Sequence, residues 1–230
     1  MLVLGVDSSS NAATAAVVCD GELLCEYTQN QKKTHSVKML PMIESMLNDL
    51  EISIGDIDVF ACGIGPGSFT GVRIGAATMR GFCDCLKKSA VAVTSLRALF
   101  ENVSYFDGTV YTLIFARENE CFAAAYENGE EILPPCVMTV DDIVCSAKGK
   151  KCLFVGDGAQ INHELLSKVS GAQFASSQHN IISAASIAQI GYKKALSGEV
   201  SDSSAFSPLY LRKSQAEREY DEKHKTTEVK

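Results

Sequence analysis

The hydrophobic pattern of the first hundred residues switches repeatedly between a strand period and a helix period. The first apolar run is continuous, as expected of a central strand that is buried on both faces. The next apolar segment is interrupted by Asp20-Gly21, a pair that favours a two-residue hairpin turn. Further on, apolar residues recur every three or four positions, which predicts helices. The predicted order is strand 2–8, a hairpin over 12–27, helix 35–50, strand 58–65, helix 68–87, strand 89–94 and helix 95–104.

The second half repeats this order of elements without repeating the sequence, which predicts a duplicated α/β unit with mixed sheets. We place the boundary between a first lobe, 1–104, and a second lobe, 105–212. Residues 213–230 are charged throughout and are interpreted as a solvated tail. Two lobes that each open with a strand and a hairpin follow the plan of the actin-like, RNase H-like ATPase folds, in which a nucleotide lies between the lobes.

Composition narrows the function classes. The 230 residues carry 28 acidic side chains against 21 Lys and Arg, a net charge of −7. A protein that binds nucleic acid alone normally carries a basic stripe, and none is visible, so unaided tRNA binding is not expected. Nine scattered cysteines without C-x-x-C spacing favour reduced thiols over zinc or disulfides. The start of the chain shows no signal-peptide pattern and no apolar run long enough for a membrane span, which favours a cytoplasmic protein.

The tetrapeptide after the first strand, Asp7 to Ser10, has two interpretations. As a phosphate loop, Ser8 and Ser9 would offer hydroxyl and backbone N–H groups to phosphate oxygens, and Asp7 would orient magnesium-bound water. As a polar turn into the hairpin, the same side chains would bond the nearby backbone. The tetrapeptide by itself favours the turn.

The stretch GPGSFTGVRIG, residues 65–75, raises a similar question. Its start suits a strand-to-helix corner, and an anion can bind at a helix N-terminus, but a Walker-type lysine is absent. Glycines inside a helix cost about 1 kcal/mol each relative to alanine. Such a cost suggests that another element approaches the helix closely. We therefore predict a surface that admits a second helix, formed by Gly71, Ile74, Gly75 and Thr78.

The preceding helix, 35–50, carries more apolar surface than a one-sided helix needs. One stripe contains Leu40, Ile43, Leu47 and Leu50. A second stripe beside it consists of Met39, Met42 and Met46. Methionine suits adaptable surfaces, and the two stripes together exceed the ~100° typical of a surface helix. Both stripes can also be core. We predict that the methionine stripe completes the partner surface.

Five segments carry a resemblance to a known family: LGVDSSS, HSVKMLPMI, GPGSFTGVRIGAATMRGF, TSLRAL and SPLYLRKSQAERE. They resemble the TsaB family, also called YeaZ, of the bacterial machinery that makes threonylcarbamoyladenosine in tRNA. The resemblance is close over residues 1–100, 151–160 and 207–219, and holds only in pattern over 105–150. The resemblance implies the duplicated actin-like fold (ASKHA) and a dimerisation role. The implied partners are a TsaD-like catalytic subunit, a TsaE-like ATPase and, for the chain alone, a second copy; tRNA is met only through the complex.

The resemblance also implies that this chain has lost the metal site of TsaD. The positions that match the TsaD metal ligands are Ser95, Leu99 and Ile182, and the last two have no lone pairs to donate. The nucleoside loop survives in part as Gly156-Asp157-Gly158. No cofactor is expected for the chain alone, although a nucleotide in the partnered complex is compatible with the family.

Two hypotheses from different classes follow. The first is a non-catalytic scaffold subunit. The second is an ATP-dependent phosphoryl or carbamoyl transferase that uses Asp7, Ser8 and Ser9 with Gly156 and Gly158. A glycoprotease-like metallopeptidase is a remote third, because the residues that match the TsaD metal ligands cannot hold a metal.

Overall fold

The computed structural model describes residues 1–30 and 35–212. In the first half, five strands and three α-helices form in the predicted order. They are β1 (Leu2–Asp7), β2 (Ala12–Cys19), β3 (Glu22–Asn30), α1 (His35–Asp49), β4 (Val59–Gly63), α2 (Phe69–Leu86), β5 (Ser89–Val93) and α3 (Ser95–Glu101). The Asp20-Gly21 turn has the two positive φ angles, 48° and 87°, that a tight hairpin requires.

The second half forms a second sheet. Its elements are β6 (Thr109–Arg117), β7 (Glu120–Glu127), β8 (Glu130–Thr139), α4 (Val140–Ala147), β9 (Cys152–Val155), α5 (Asp157–Ile161), α6 (His163–Leu166), β10 (Gln173–Phe174) and α7 (Ala184–Leu196). Short 3-10 turns lie at Ile54–Asp56, Ser177–Asn180 and Ser203–Phe206.

The two sheets share one topology. The first has the order β3-β2-β1-β4-β5 and the second the order β10-β9-β6-β7-β8. In each, the opening strand pairs antiparallel with the strand that follows it, β2 or β7, and parallel with the first strand after the hairpin, β4 or β9. Leu4, for example, pairs with Val17 on β2 and with Phe60 on β4. This common arrangement is the duplicated unit that the order of elements predicted.

The C-terminal helix α7 packs on the first sheet, so the predicted second lobe, 105–212, is too long. A Cβ at Gly5 of β1 would lie 2.6 Å from the Ala184 carbonyl oxygen and 2.7 Å from the Ala188 amide. Beyond the helix, Ala90 of β5 and Ser201 exchange backbone hydrogen bonds. The elements from 184 onward therefore complete the first lobe, while α1 and α2 cover its other face. The tail 213–230 lies outside the described residues.

Apolar side chains from both lobes meet in one core cluster. The rings of Phe100 on α3 and Tyr126 on β7 stack with centroids 4.5 Å apart. Asn102 extends the contact, because its amide donates to the carbonyl oxygens of His179 and Ile181. Within the described ranges, no helix is both long and apolar enough to cross a membrane.

Candidate functional site

The loop after β1 lies at the junction of the two lobes and is tied down by its own side chains. Asp7 is buried, and its Oδ1 accepts hydrogen bonds from the Ser9 amide at 2.8 Å and the Ser9 hydroxyl at 2.9 Å. Asp7 Oδ2 has no hydrogen-bond partner among the described residues. Burial raises the pKa of Asp7 from 3.8 to about 6, against the lowering effect of the hydrogen bonds from Ser9.

Ser8 connects this loop to α2. Its hydroxyl donates to the Gly71 carbonyl oxygen at 2.8 Å and accepts from the Gly75 amide at 3.0 Å. A Cβ at Gly71 would overlap the Ser8 carbonyl oxygen, and one at Gly75 would lie 2.8 Å from Ser8 Oγ. The element that approaches these glycines is therefore the chain's own loop. The prediction that Gly71 and Gly75 admit a partner helix is wrong, because both are buried against Ser8.

Ser9 is held as firmly as Ser8. Its hydroxyl shares a 2.8 Å hydrogen bond with Ser95 Oγ at the start of α3, and its carbonyl oxygen accepts the Ser68 amide at 2.7 Å. The fold class implies a nucleotide at this loop. The residues present do not fit its phosphates, because the hydroxyls of Ser8 and Ser9 are already engaged and the Asp7 carboxylate abuts Gly63. The arrangement is that of the polar turn.

The glycine loop of the second lobe serves packing. Gly156 has φ 109°, and a Cβ there would overlap the Leu113 carbonyl oxygen; one at Gly158 would lie 3.0 Å from the same atom. Asp157 between them accepts a hydrogen bond from the Phe115 amide at 2.9 Å, and burial raises its pKa. These contacts hold α5 against β6.

Two cavities separate the loops of the two lobes. One, of about 300 Å³, is lined by residues that include Ser9, Phe69, Asp157 and Arg212. The other, of about 160 Å³, is lined by residues that include Leu99 and Ile182. Leu99 and Ile182, two of the three positions that the resemblance matched to the metal ligands of TsaD, thus line one cavity, and both are apolar. No group of three or more His, Cys, Asp and Glu within the described residues is placed to hold a metal ion.

The methionine stripe of α1 is core. Met39, Met42 and Met46 are at most 3% exposed and pack beneath the helix against the first sheet. The large hydrophobic side chains that α1 exposes to solvent include Val37, 71% exposed, and Leu40, 52% exposed. The prediction that the methionines form the partner surface is wrong, because the sheet lies on their side of α1.

An exposed surface nevertheless spans α1 and α2. Of the residues predicted for it, Ile74 and Thr78 remain half-exposed on α2. Ala77 and Gly81 are exposed beside them, and a Cβ at Gly81 would have no atom within 4 Å. Between the helices lies a cavity of about 350 Å³, lined by residues that include Leu40, Leu47, Ile52, Ile54 and Phe82. We call Val37 and Leu40 on α1, with Ile74, Ala77, Thr78, Gly81 and Phe82 on α2, the helix-pair surface.

Comparison with known proteins identifies the family. A family model for TsaD, tRNA N6-adenosine threonylcarbamoyltransferase, matches residues 22–220. The tRNA threonylcarbamoyladenosine biosynthesis protein TsaB of Bacillus subtilis strain 168 is 30% identical over 234 residues, which cover 98% of this chain and 100% of that protein. The chain belongs to the TsaB family. The resemblance drawn from the five motifs is confirmed.

Solved structures agree with this assignment. A protein from Pseudomonas aeruginosa with similarity to the peptidase YeaZ is 25% identical, with a TM-score of 0.79, over 92% of this chain and 99% of that one. Component A of (R)-2-hydroxyglutaryl-CoA dehydratase from Acidaminococcus fermentans is 13% identical, with a TM-score of 0.56, over 85% of this chain and 99% of that one. The second likeness shows the fold alone. Together with the sheet topology, these neighbours confirm the duplicated actin-like fold.

Proposed function

We propose that this TsaB-family chain is a non-catalytic subunit that pairs with a TsaD-type catalytic subunit in threonylcarbamoyl transfer to tRNA adenosine. The observation that carries the proposal is the state of the β1 loop. Ser8 and Ser9 would have to contact phosphate in an ATP-binding loop. Instead, the Ser8 hydroxyl is hydrogen-bonded to Gly71 and the Ser9 hydroxyl to Asp7 and Ser95. The ATP-dependent transferase alternative needs these same hydroxyls free.

The cleft between the lobes supports the same proposal. Leu99 and Ile182 line this cleft at positions that match metal ligands of TsaD. Their hydrocarbon side chains cannot ligate a metal ion. A metallopeptidase also needs a bound metal ion, so the same two side chains argue against that activity. What remains is a fold whose chemistry-bearing positions have been used for internal packing.

The pairing surface that we propose is the helix-pair surface. Small residues let helix backbones approach closely, and Ala77 and Gly81 stand one helical turn apart on its exposed side. The apolar cavity beside Leu40 and Phe82 offers a seat for a partner's side chain. In the absence of the catalytic subunit, the same surface would pair two copies of this chain.

The remaining partners follow from this role. A TsaE-type ATPase would join the assembled complex, and tRNA would be contacted through the complex because the isolated chain carries a net charge of −7. We place the complex in the cytoplasm, where tRNA is modified. No cofactor is assigned to this chain.

Reconstitution tests the proposal. The chain is purified and combined with the TsaD-type protein of the same organism, the TsaE-type ATPase, tRNA and a threonylcarbamoyl donor. Modified tRNA should form only when both this chain and the TsaD-type protein are present, and the isolated chain should not bind Mg-ATP in calorimetry. Stoichiometric Mg-ATP binding by the chain alone, or tRNA modification at full rate without it, would contradict the proposal.

A further inference from the structure

An aromatic stack stands at the N-terminal end of α2. The rings of Phe69, on the first turn of the helix, and Tyr210 lie 4.6 Å apart and within 9° of parallel. Tyr210 belongs to a strap, residues 207–212, which is fixed to the first sheet by a 2.8 Å hydrogen bond from the Leu209 amide to the Ile64 carbonyl oxygen. Tyr210 is nevertheless 43% exposed. The stack is therefore both anchored and accessible.

Arg73, one turn further along α2, is fixed by this stack. Its Nε donates to the Tyr210 hydroxyl at 2.7 Å. The guanidinium carbon lies 5.5 Å from the Tyr210 ring centroid and 5.9 Å from that of Phe69. A long side chain that normally loses rotamer freedom on binding is here largely ordered beforehand. This hydrogen bond uses Nε and leaves the two Nη groups outside it.

The ordered guanidinium has no anionic partner in the part of the chain that the structure describes. Arg73 is absent from the ion pairs found there, whereas the other exposed arginine of α2, Arg80, lies 3.9 Å from Asp84. A guanidinium presents paired N–H donors that match a carboxylate or a phosphate. Arginine, like tryptophan and tyrosine, is enriched among the residues that carry most of the binding energy of protein interfaces.

The position of Arg73 favours a protein partner. Arg73 directly precedes Ile74 and lies one turn before Ala77, so it stands at the edge of the helix-pair surface. A nucleic acid would need a row of cations. The next cation on this side of α2, Arg80, lies beside the acidic Asp84 instead. A single cation at the edge of an apolar surface fits one carboxylate at the edge of a partner's surface.

We infer that Arg73 is an anchor for an aspartate or glutamate side chain of the protein that packs on the helix-pair surface, with Tyr210 and Phe69 as its positioning residues. The inference rests on the proposed pairing and adds its polar contact. It also gives the C-terminal strap a role, since Tyr210 brings the strap into the pairing site.

Four variants test the inference in the full chain: Arg73→Ala, Arg73→Lys, Tyr210→Phe and, as a control on the same helix, Arg80→Ala. Affinity for the TsaD-type partner is measured by calorimetry at low and high salt, after thermal unfolding shows that each variant is folded. Loss of one member of a charge-assisted hydrogen-bonded pair should lower affinity about tenfold. Arg73→Ala should do so and should weaken the salt dependence.

The other variants separate the contribution of the planar guanidinium, with its paired N–H donors, from that of the positive charge. Arg73→Lys keeps the charge but loses the planar fork, so it should bind nearly as weakly as Arg73→Ala. Tyr210→Phe keeps the ring stack and loses only the hydroxyl, so its affinity should lie between those of the parent and Arg73→Ala. Arg80→Ala should bind like the parent.

Several outcomes would overturn the inference. Parent-like affinity of Arg73→Ala or Arg73→Lys would do so and would leave the proposed pairing intact. An Arg73→Ala variant that pairs normally, but whose complex binds tRNA more weakly, would mean that the Arg73 guanidinium binds a tRNA phosphate. If a chain that ends at Arg212 pairs more tightly than the full chain and no longer responds to Arg73→Ala, the Arg73 guanidinium is occupied by a carboxylate of the chain's own tail. Absence of pairing by the parent would instead remove the proposed function.

Discussion

The Ser8 hydroxyl and the Gly75 amide are joined by a 3.0 Å hydrogen bond, which docks α2 directly on the loop after β1. This contact decides what the stretch GPGSFTGVRIG does. Gly71 and Gly75, which lower the helix propensity of α2, are required by a neighbour within the same chain. The side of α2 that we propose for pairing is the opposite one, where a Cβ at Gly81 would have no atom within 4 Å.

Gly75 and Gly81 of α2 should therefore respond in opposite ways to the same substitution. Gly75→Ala places a methyl group 2.8 Å from Ser8 Oγ. It should lower the free energy of unfolding by about 1–3 kcal/mol, the range typical of overpacking. Gly81→Ala adds helix propensity without a clash and should raise it by up to about 1 kcal/mol. Urea unfolding of both variants measures the contrast. Equal effects would show that the two sides of α2 are wrongly assigned.

A bulky residue on the outer side of α2 should block pairing and spare the fold. Gly81→Leu fills the space that a partner backbone would occupy, so affinity for the TsaD-type protein should fall at least tenfold, since overpacking a tight contact costs about 1–3 kcal/mol. Cys145→Leu, at an exposed position on α4, introduces the same side chain away from the helix-pair surface and should pair normally. Co-purification and thermal unfolding are measured for both. Parent-like pairing by Gly81→Leu would exclude this side of α2.

The sequence predicted the elements well because their signals are local. The Asp20-Gly21 turn and the alternation of strand and helix periods depend on neighbouring residues, and both are present in the structure. Neighbouring residues do not determine which face of a helix is buried. On α1 the methionines and Leu40 form adjoining apolar stripes, and only the position of the sheet determines that Met46 is buried and Leu40 exposed.

The C-terminal helix shows the same limit over a longer distance. Nothing near residue 184 reveals that the contact of α7 lies on β1, about 180 residues earlier. The stacking of Tyr210 on Phe69 and the bond from Ser8 to Gly71 are likewise set by the tertiary fold. Motif resemblance supplied the family, whereas the contacts at the site had to come from the structure.

Asp7 should make stability depend on pH in a defined direction. Burial raises its pKa from 3.8 to about 6, so the folded chain holds a proton that the unfolded chain releases between these values. Its contribution to stability is greatest at low pH and is lost as pH rises through this window. At 1.36 kcal/mol per pKa unit, the change amounts to at most about 3 kcal/mol.

Asp7→Asn isolates this contribution, because asparagine keeps an oxygen for the Ser9 donors and does not ionise. Relative to the parent, Asp7→Asn should gain stability as pH rises from 4 to 7, and the gain should level off above about pH 7. Denaturant unfolding of both proteins at a series of pH values gives the difference. A difference that stays constant across this range would mean that Asp7 titrates normally in the folded chain.

The packing of α7 on β1 provides a test of the lobe assignment. A methyl group at Gly5 would lie 2.6 Å from the Ala184 carbonyl oxygen and 2.7 Å from the Ala188 amide, and both are backbone atoms that cannot rotate away. Gly5→Ala should therefore lower the free energy of unfolding by about 3 kcal/mol, near the upper end for overpacking. Gly55→Ala, where the nearest atom within reach is Ser53 Oγ at 3.6 Å, is the matched control and should be close to neutral. If α7 instead belonged to the second lobe, as the boundary at residue 104 implied, the two variants would unfold alike.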